Sequence, residues 1–244
     1  MHRTLITLAT YNEIENLPLL VDEILTVAPE VDILVIDDNS PDGTGKWCDE
    51  AATREPRLSV LHRSGKLGLG TATLTGMRHA IDRGYPWVLN MDADFSHHPR
   101  YLPALLACCE QTEGDQAVDV MIGSRYVPGG RIEGWGWKRH FMSRAVNTAA
   151  RVLLGLKPLD CSGSYRCYRT RLLADLDFGT IRSRGYSFQE EILFHLARRG
   201  ARIAETPITF VDRQRGQSKI HSGEALDASR VLVQLGLSRC CRSS

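Results

Sequence analysis

The chain has 244 residues, 43% of them hydrophobic and 24% charged, which is enough length and apolar content to bury a substantial core. A formal net charge of +1 gives no reason to expect nucleic acid as a partner. The N-terminus shows no signal-peptide pattern, and no apolar run reaches the roughly 18 residues that cross a bilayer.

The first 118 residues alternate strand and helix patterns four times. Strands are predicted for "TLITLAT" (4–10), "VDILVIDD" (31–38), "RLSVLH" (57–62) and "WVLNMD" (87–92). Helices are predicted for 11–29, about 46–54, 68–84 and 101–112. Near-continuous apolar strands between helices are typical of an α/β fold with a mainly parallel central sheet flanked by helices.

The pattern changes after residue 118. We predict a strand at 119–127, a glycine-rich loop at 128–137, a basic helix at 138–155, a polar segment at 160–170, a helix at 187–200, a single strand at 201–210, a polar loop at 211–220 and an amphipathic helix at 223–237. We expect one domain. Its first half (about 1–118) binds one ligand, its second half (about 119–222) completes the site, and a C-terminal helix and tail (223–244) follow.

The cysteines do not suggest a disulfide framework or a zinc site, because their number is odd and no two have C-x-x-C spacing. They are Cys48, Cys108, Cys109, Cys161, Cys167, Cys240 and Cys241. We expect a reducing, cytosolic compartment. The stretch from Arg125 to Arg171 carries ten basic residues and only two acids, Glu133 and Asp160. It is either a solvated basic face or a surface that meets phosphates.

Polar clusters follow four of the predicted strands: "TYNE" the first, "DDNSPD" the second, "DAD" the fourth and "SRY" the fifth. Each alone is ordinary turn chemistry. Ligands of open α/β sheets bind at the carboxyl ends of the strands, so four clusters on one edge predict a site.

The glycines of "GKLGLGTA" invite a comparison with dinucleotide-binding loops. Gly65, Gly68 and Gly70 do not form G-x-G-x-x-G, and a G-x-x-x-x-G-K-[ST] run is absent from the sequence. We interpret the segment as a loop that opens a helix and leaves Lys66 able to reach an anionic ligand.

Asp92 and Asp94 are two residues apart and would project to the same side of an extended strand. Such a pair favours a hard cation, Mg²⁺ or Mn²⁺, between the carboxylates. His97 and His98 are either further ligands or part of the loop structure. A phosphatase-like nucleophile is disfavoured, because in those enzymes the D-x-D pair ends the first strand, whereas here it ends the fourth.

The ordered motifs "TYNE", "VIDDNSPDGT", "KLGLGTA", "NMDADFSHHP", "GSRYVPGG", "SGSYRCYR" and "RQRGQSK" resemble the polyprenyl (dolichyl) phosphate mannose synthases of glycosyltransferase family 2. The resemblance extends from about Leu5 to Lys219. It implies a GT-A fold and transfer of mannose from GDP-mannose to a polyprenyl phosphate, with inversion at the anomeric carbon.

The resemblance also implies roles for residues. The nucleotide sugar would be held by Thr10, Tyr11, Glu13, Asp37, Asp38, Lys66 and Asp92. Asp92 and Asp94 would hold Mg²⁺ or Mn²⁺, and a metal-bound Asp94 is a poor general base. The phosphates of donor and acceptor would meet Arg125, Ser143, Arg144, Arg213 and Lys219. Ser96 stands where some members carry glutamine, so a third protein ligand is in doubt, and Ala9 stands where many carry proline.

A lipid acceptor implies contact with a membrane. The helix at 138–155 combines cationic and apolar residues, which suits either an interfacial helix or core packing with a basic outer face. We expect a peripheral enzyme at the cytosolic face, and a small membrane subunit is a possible partner in this family. Cys240 and Cys241 are either palmitoylated or an incidental tail. The rival hypotheses are a UDP-glucose or UDP-GlcNAc donor and a catalytically inactive nucleotide-binding module.

Overall fold

The computed structural model describes residues 3–109, 117–181, 183, 185, 187–212, 232 and 234–237. The strands are β1 (Thr4–Thr10), β2 (Asp32–Asp37), β3 (Leu58–His62), β4 (Trp87–Asp92), β5 (Val120–Ser124), β6 (Arg131–Glu133), β7 (Arg166–Arg169), β8 (Ile203–Pro207) and β9 (Thr209–Val211). The α-helices are α1 (Leu17–Val27), α2 (Thr44–Ala52), α3 (Leu69–Asp82), α4 (Leu102–Leu106), α5 (Trp137–Leu154), α6 (Thr170–Ala174) and α7 (Phe188–Arg198).

Seven of these strands form one sheet in the order β3-β2-β1-β4-β7-β5-β8. Strands β1 to β4 are parallel, β7 is antiparallel to both of its neighbours, and β5 and β8 are parallel to each other. Strands β6 and β9 form a separate two-stranded ribbon. The predicted α/β architecture with a mainly parallel sheet is therefore confirmed.

Helices cover both faces of the central sheet. One apolar cluster packs α1, α2 and α4 against one face, and the other packs α3, α5, α6 and α7 against the opposite face. All six residues of β2 are buried as a result. This two-sided burial explains the near-continuous apolar sequence of the first strands.

The predicted helices of the first half are present with different ends. Helix α1 begins at Leu17 rather than near residue 11, because Asn12 has a φ of 59° and Pro18 lies in the first turn. Helix α4 is only Leu102–Leu106, flanked by 3₁₀ turns at Pro99–Tyr101 and Ala107–Cys109.

Three predictions for the second half were wrong. The polar segment at 160–170 contains β7, a central strand, and the loop at 128–137 contains β6. The single strand at 201–210 is two strands, which separate after Pro207 into different sheets. Strand β7 escaped detection because it carries Arg166, which is fully buried and donates to the carbonyl oxygens of Gln189 (2.8 Å) and Cys161 (2.6 Å).

The end of the chain lies mostly outside the described residues. The polar loop predicted at 211–220 is described only to residue 212, so Arg213 and Lys219 fall outside. Of the helix predicted at 223–237, the described residues 232 and 234–237 are helical.

The contact between α3 and the sheet leaves no room for a side chain at Gly76. A Cβ there would lie 2.8 Å from Cγ2 of Thr7 and 3.0 Å from Cδ1 of Ile36. We expect Gly76→Ala to lower the free energy of unfolding by about 1–3 kcal/mol, even though alanine favours the helix by about 1 kcal/mol. Denaturant titration measures this change. Gly65→Ala is the matched control, since nothing lies within 4 Å of its added Cβ, and equal stability of the two variants would contradict the packing argument.

Candidate active site

The site lies where the strand order reverses. The chain passes from β1 to β2 on one side of β1, whereas β4 pairs with the other side. In the register, Thr10 is paired with Asp37 and Ala9 with Asp92. The carboxyl ends of β1, β2 and β4 therefore meet, which is where open α/β sheets bind ligands. Strand β5 points the same way, so Arg125 follows it at the same edge.

Three loops at this edge each contain a residue in the left-handed backbone region. Asn12 follows β1 with a φ of 59°, Asn39 follows β2 with 58°, and Phe95 follows β4 with 62°. Non-glycine residues adopt this conformation at a cost of order 1–3 kcal/mol, and they concentrate at functional sites. Their position supports the prediction of a site at the same edge.

The loops after β1 and β2 are joined by hydrogen bonds. The backbone N–H groups of residues 12–14 donate in turn to side-chain oxygens of Ser40 (3.0 Å), Thr44 (3.0 Å) and Asp42 (3.1 Å). Burial alone would raise the pKa of Asp42, but hydrogen bonds from Thr44 and from the backbone outweigh it and lower that pKa. The two predicted nucleotide loops thus form one unit.

The predicted acids of the second loop are both buried. Asp37 accepts hydrogen bonds from the hydroxyls of Ser40 (2.5 Å) and Thr10 (3.3 Å). Asp38 forms an ion pair with Arg63, 3.1 Å apart, and burial raises its pKa while Arg63 opposes that rise. The structure brings Thr10, Asp37 and Asp38 together, and their contacts with base and ribose stay a prediction.

The remaining predicted nucleotide residues lie beside the same loops. The Lys66 ammonium lies 5.5 Å from the centroid of the Tyr11 ring, which holds it near the end of β1. Glu13 accepts a hydrogen bond from Nδ2 of Asn16 (2.9 Å). A cation and an acid therefore stand near this edge of the sheet, as the sequence predicts.

Each acid of the D-x-D pair accepts a hydrogen bond from a serine. Asp94 is 8% exposed, and its Oδ1 accepts from the backbone N–H (3.1 Å) and hydroxyl (2.6 Å) of Ser96. Oδ1 of Asp92 accepts from the hydroxyl of Ser164 (3.0 Å), and its side chain is one-third exposed. Two ordered carboxylates with hard oxygen donors fit Mg²⁺ or Mn²⁺. The Ser96 hydroxyl donates its proton to Asp94, and the number of protein ligands stays a prediction.

His97 supports the turn that carries the two acids. Its Nδ1 accepts the backbone N–H of Asp92 (3.0 Å), and its ring stacks on Tyr165 at 4.8 Å between centroids. Burial lowers the pKa of His97, and the neighbouring Asp92 and Asp94 oppose that effect. Nδ1 of His98 lies 3.1 Å from Glu23. These contacts favour the loop-structure alternative for both histidines.

Arg125 is engaged by a buried acid. Its Nε and Nη2 donate to the two carboxylate oxygens of Asp160 at 2.7 Å each, and its backbone N–H donates at 3.0 Å. Burial would raise the pKa of Asp160, but Arg125 outweighs it and the pKa is lowered. The charge of Arg125 is therefore balanced inside the protein, and its predicted contact with phosphate stays a prediction.

Ser143 and Arg144 lie on α5 near the same edge. The Ser143 hydroxyl accepts from the hydroxyl of Tyr126 (2.7 Å), and Cζ of the exposed Arg144 lies 5.9 Å from the Tyr126 ring centroid. Arg144 also borders an open hollow of about 640 Å³ with apolar residues of α5 such as Phe141 and Val152. The structure thus places both predicted residues beside the end of β5.

The loop that precedes β7 connects Arg125 with helix α5, a role that the sequence did not predict. Oδ1 of Asn147 on α5 accepts the backbone N–H groups of Cys161 (2.6 Å) and Ser162 (3.1 Å), and Asp160 accepts that of Gly163 (2.9 Å). The motif "SGSYRCYR" carried a family resemblance. Its hydrogen-bond partners come from distant positions, so the sequence held no signal for them.

Three cysteines also converge in the described part of the chain. The sulfur atoms of Cys108, Cys109 and Cys167 lie within 4.8 Å of one another. Hydrogen bonding with Cys109 raises the pKa of Cys108, and burial raises that of Cys167. All three side chains are buried within the apolar cluster that packs against α1, α2 and α4, so we interpret them as part of the core.

Helix α5 exposes large apolar side chains. Trp137 is 76%, Phe141 67% and Val152 70% exposed, and Lys138 lies beside them in the sequence. Among the helices of the described ranges, none has the length and apolar composition needed to cross a bilayer.

Comparison with known proteins identifies a family and two similar enzymes. Residues 6–177 match the family "Glycosyl transferase family 2". The chain is 44% identical over 235 residues to an undecaprenyl-phosphate mannosyltransferase of Micrococcus luteus, covering 96% of this chain and 94% of that protein. It is 42% identical over 236 residues to a polyprenol monophosphomannose synthase of Mycolicibacterium smegmatis, covering 96% and 87%.

Solved structures agree on the fold. A glucosyl-3-phosphoglycerate synthase from Mycobacterium tuberculosis, crystallised with Mn²⁺ and UDP, matches with a TM-score of 0.64 at 21% identity, over 98% of this chain and 80% of that one. Another solved structure, of a mycobacterial protein, matches with a TM-score of 0.68 at 22% identity, over 98% and 75%. The predicted GT-A fold is confirmed.

A further acid lies buried near the Asp160 network. Oε2 of Glu190 is shielded from solvent and has no hydrogen-bond partner in the described part of the chain. Burial raises the pKa of Glu190 from its ordinary 4.5 to about 7, against an opposing effect of Arg166 and with a smaller reinforcing effect of Asp160. The folded protein therefore holds a proton on Glu190 at a pH where the unfolded chain has released it.

This proton makes stability depend on pH. The stabilisation of the folded state by this proton is complete below pH 4.5 and is lost as the pH rises through about 7. We expect Glu190→Gln to remove this dependence. The free energy of unfolding of the variant, relative to that of the wild type, should therefore rise by about 1–3 kcal/mol from pH 5 to pH 8. Denaturant titrations at both pH values measure the difference. The exposed Glu30→Gln serves as control, and parallel pH profiles for wild type and Glu190→Gln would contradict the prediction.

Proposed function

The chain belongs to glycosyl transferase family 2, and on that premise we propose that it transfers mannose from GDP-mannose to a polyprenyl phosphate with inversion at the anomeric carbon. The observation that carries the proposal is the similarity, over 96% of the chain, to two enzymes named for transfer of mannose to such lipids. In this proposal the half up to about residue 118 binds the nucleotide sugar, and residues 119–222 bind the acceptor.

The chemistry of the acceptor suits the site. A phosphate monoester has its second pKa near 6, so it is already mostly dianionic near neutral pH and needs no strong general base. The chain then has to position the two substrates, balance the charge of the leaving diphosphate and exclude water. An arginine-bearing site with two ordered carboxylates is consistent with these tasks.

The donor would lie on the unit formed by the loops after β1 and β2. Lys66 and the D-x-D pair stand at its edge, where a diphosphate needs positive charge. A divalent cation held by Asp92 and Asp94, Mg²⁺ or Mn²⁺, would neutralise diphosphate charge. The two carboxylates accept hydrogen bonds from the hydroxyls of Ser96 and Ser164.

The acceptor would approach along α5. Arg144 is exposed beside the apolar hollow, so it can meet a phosphate while the polyprenyl chain remains in lipid. The exposed Trp137, Phe141 and Val152 suit an interfacial position of this helix. We therefore propose a peripheral enzyme at the cytosolic face of a membrane.

A test of the donor compares sugar nucleotides directly. Purified protein is incubated with Mg²⁺ or Mn²⁺, a short polyprenyl phosphate and GDP-mannose, UDP-glucose or UDP-GlcNAc, and the lipid product is measured. We expect transfer from GDP-mannose to exceed transfer from either UDP-sugar. Turnover with a UDP-sugar alone would favour the rival donor, and binding of nucleotide without transfer from any donor would favour the inactive module.

A test of the acceptor side uses Arg144→Ala. Loss of a charged hydrogen-bond donor to phosphate should raise the KM for a short, water-soluble polyprenyl phosphate about 10- to 100-fold and leave the KM for GDP-mannose nearly unchanged. Steady-state kinetics measure both constants. Arg151→Ala, an exposed arginine on the same helix, is the matched control. Equal losses for both substrates would place Arg144 elsewhere in the site.

A further inference from the structure

We propose that Ser164 is a positioning residue, whose hydroxyl sets the orientation of the Asp92 carboxylate toward a divalent cation. The inference rests on the proposed function in taking Asp92 as a metal ligand. It begins with the difference between the two acids. Asp94 is held by Ser96, two residues away in its own turn, whereas the partner of Asp92 is 72 positions distant.

Among the described residues, those near Asp92 in the sequence offer its carboxylate no hydrogen-bond donor. Its side chain is one-third exposed at the last residue of β4. Nδ1 of His97 lies 3.7 Å from its Oδ2, but that nitrogen accepts the backbone N–H of Asp92 and so carries no proton to donate. Within the described ranges, the hydroxyl of Ser164 is the hydrogen-bond donor that this carboxylate has.

Ser164 is suited to this role because its loop is held from several directions. The Asp160 carboxylate accepts from Gly163 (2.9 Å), and the backbone N–H of Asp160 itself donates to Glu205 (2.9 Å). On the other side of Ser164, Tyr165 is fully buried and stacks on His97. A hydroxyl on a well-anchored backbone can hold a carboxylate in one orientation at little entropic cost.

The hydrogen bond has a chemical consequence. Donation to Oδ1 orients the carboxylate and leaves Oδ2 available to a cation. Hydrogen bonds to metal-ligating carboxylates characteristically contribute 10- to 100-fold to metal affinity. The same loop binds Arg125 through Asp160 and α5 through Asn147. Ser164 therefore also links the metal-binding side of the site to its acceptor side.

The test measures binding of Mn²⁺ rather than turnover. In the presence of GDP, the free Mn²⁺ signal in electron paramagnetic resonance gives the dissociation constant for wild type and Ser164→Ala. We expect Ser164→Ala to weaken Mn²⁺ binding about 10- to 100-fold. Ser164→Thr keeps the hydroxyl on a half-buried residue and should restore most of the affinity. Ser59→Ala, which removes a hydroxyl bonded to the Ile33 carbonyl of the neighbouring strand, should bind as wild type.

Each outcome decides the proposal. Wild-type affinity in Ser164→Ala, or equal weakening in Ser164→Ala and Ser59→Ala, would overturn it. Asp92→Asn with undiminished Mn²⁺ binding would also overturn it, because Ser164 would then have no ligand to position. If Ser164→Ala does not fold, Ser164→Cys keeps the size of the side chain with a weak donor and takes its place. The metal readout needs no sugar donor, so failure of mannose transfer would refute the proposed function and leave this test intact.

Discussion

The buried pair of Arg125 and Asp160 is the interaction on which the second half of the site depends. Asp160 is fully buried and accepts from the backbone and guanidinium of Arg125 and from the backbone of Gly163. Removing one member of such a pair costs about 3–5 kcal/mol, because the other charge is left buried without compensation. The pair joins the end of β5 to the loop that precedes β7, and that loop reaches Asp92 and α5.

Ion pairs within the protein reduce the positive charge that the site can offer to phosphates. The stretch from Arg125 to Arg171 is rich in arginine, but several of these residues are engaged within the protein: Arg125 by Asp160, Arg139 by Asp212, and Arg169 and Arg171 by Asp119. Among the predicted phosphate-binding residues that the structure describes, the exposed Arg144 is the clearest candidate to meet an incoming phosphate. Part of the positive charge of this stretch is therefore balanced by ion pairs within the protein.

Order at the site comes from hydrogen bonds between loops that follow different strands. The loops after β1 and β2 bind each other, and the loop after β4 is held by its own serine and by Ser164. The left-handed residues Asn12, Asn39 and Phe95 show that the chain bends sharply at each of these places. A charge-neutralising site benefits from such rigidity, because preorganised groups need not rearrange when charge develops.

The sequence by itself determined the α/β class, the four β-α units of the first half and the edge of the sheet at which Asp37, Asp92 and Arg125 gather, since these follow from apolar periodicity and from polar residues at strand ends. Only the tertiary structure decided that β7 is a central strand, that Arg125 is paired and that Ser164 supports Asp92. Each of these depends on contacts between residues far apart in the chain. Local sequence patterns carry no information about such contacts. The buried Arg166 also interrupts the apolar pattern by which strand β7 could have been predicted.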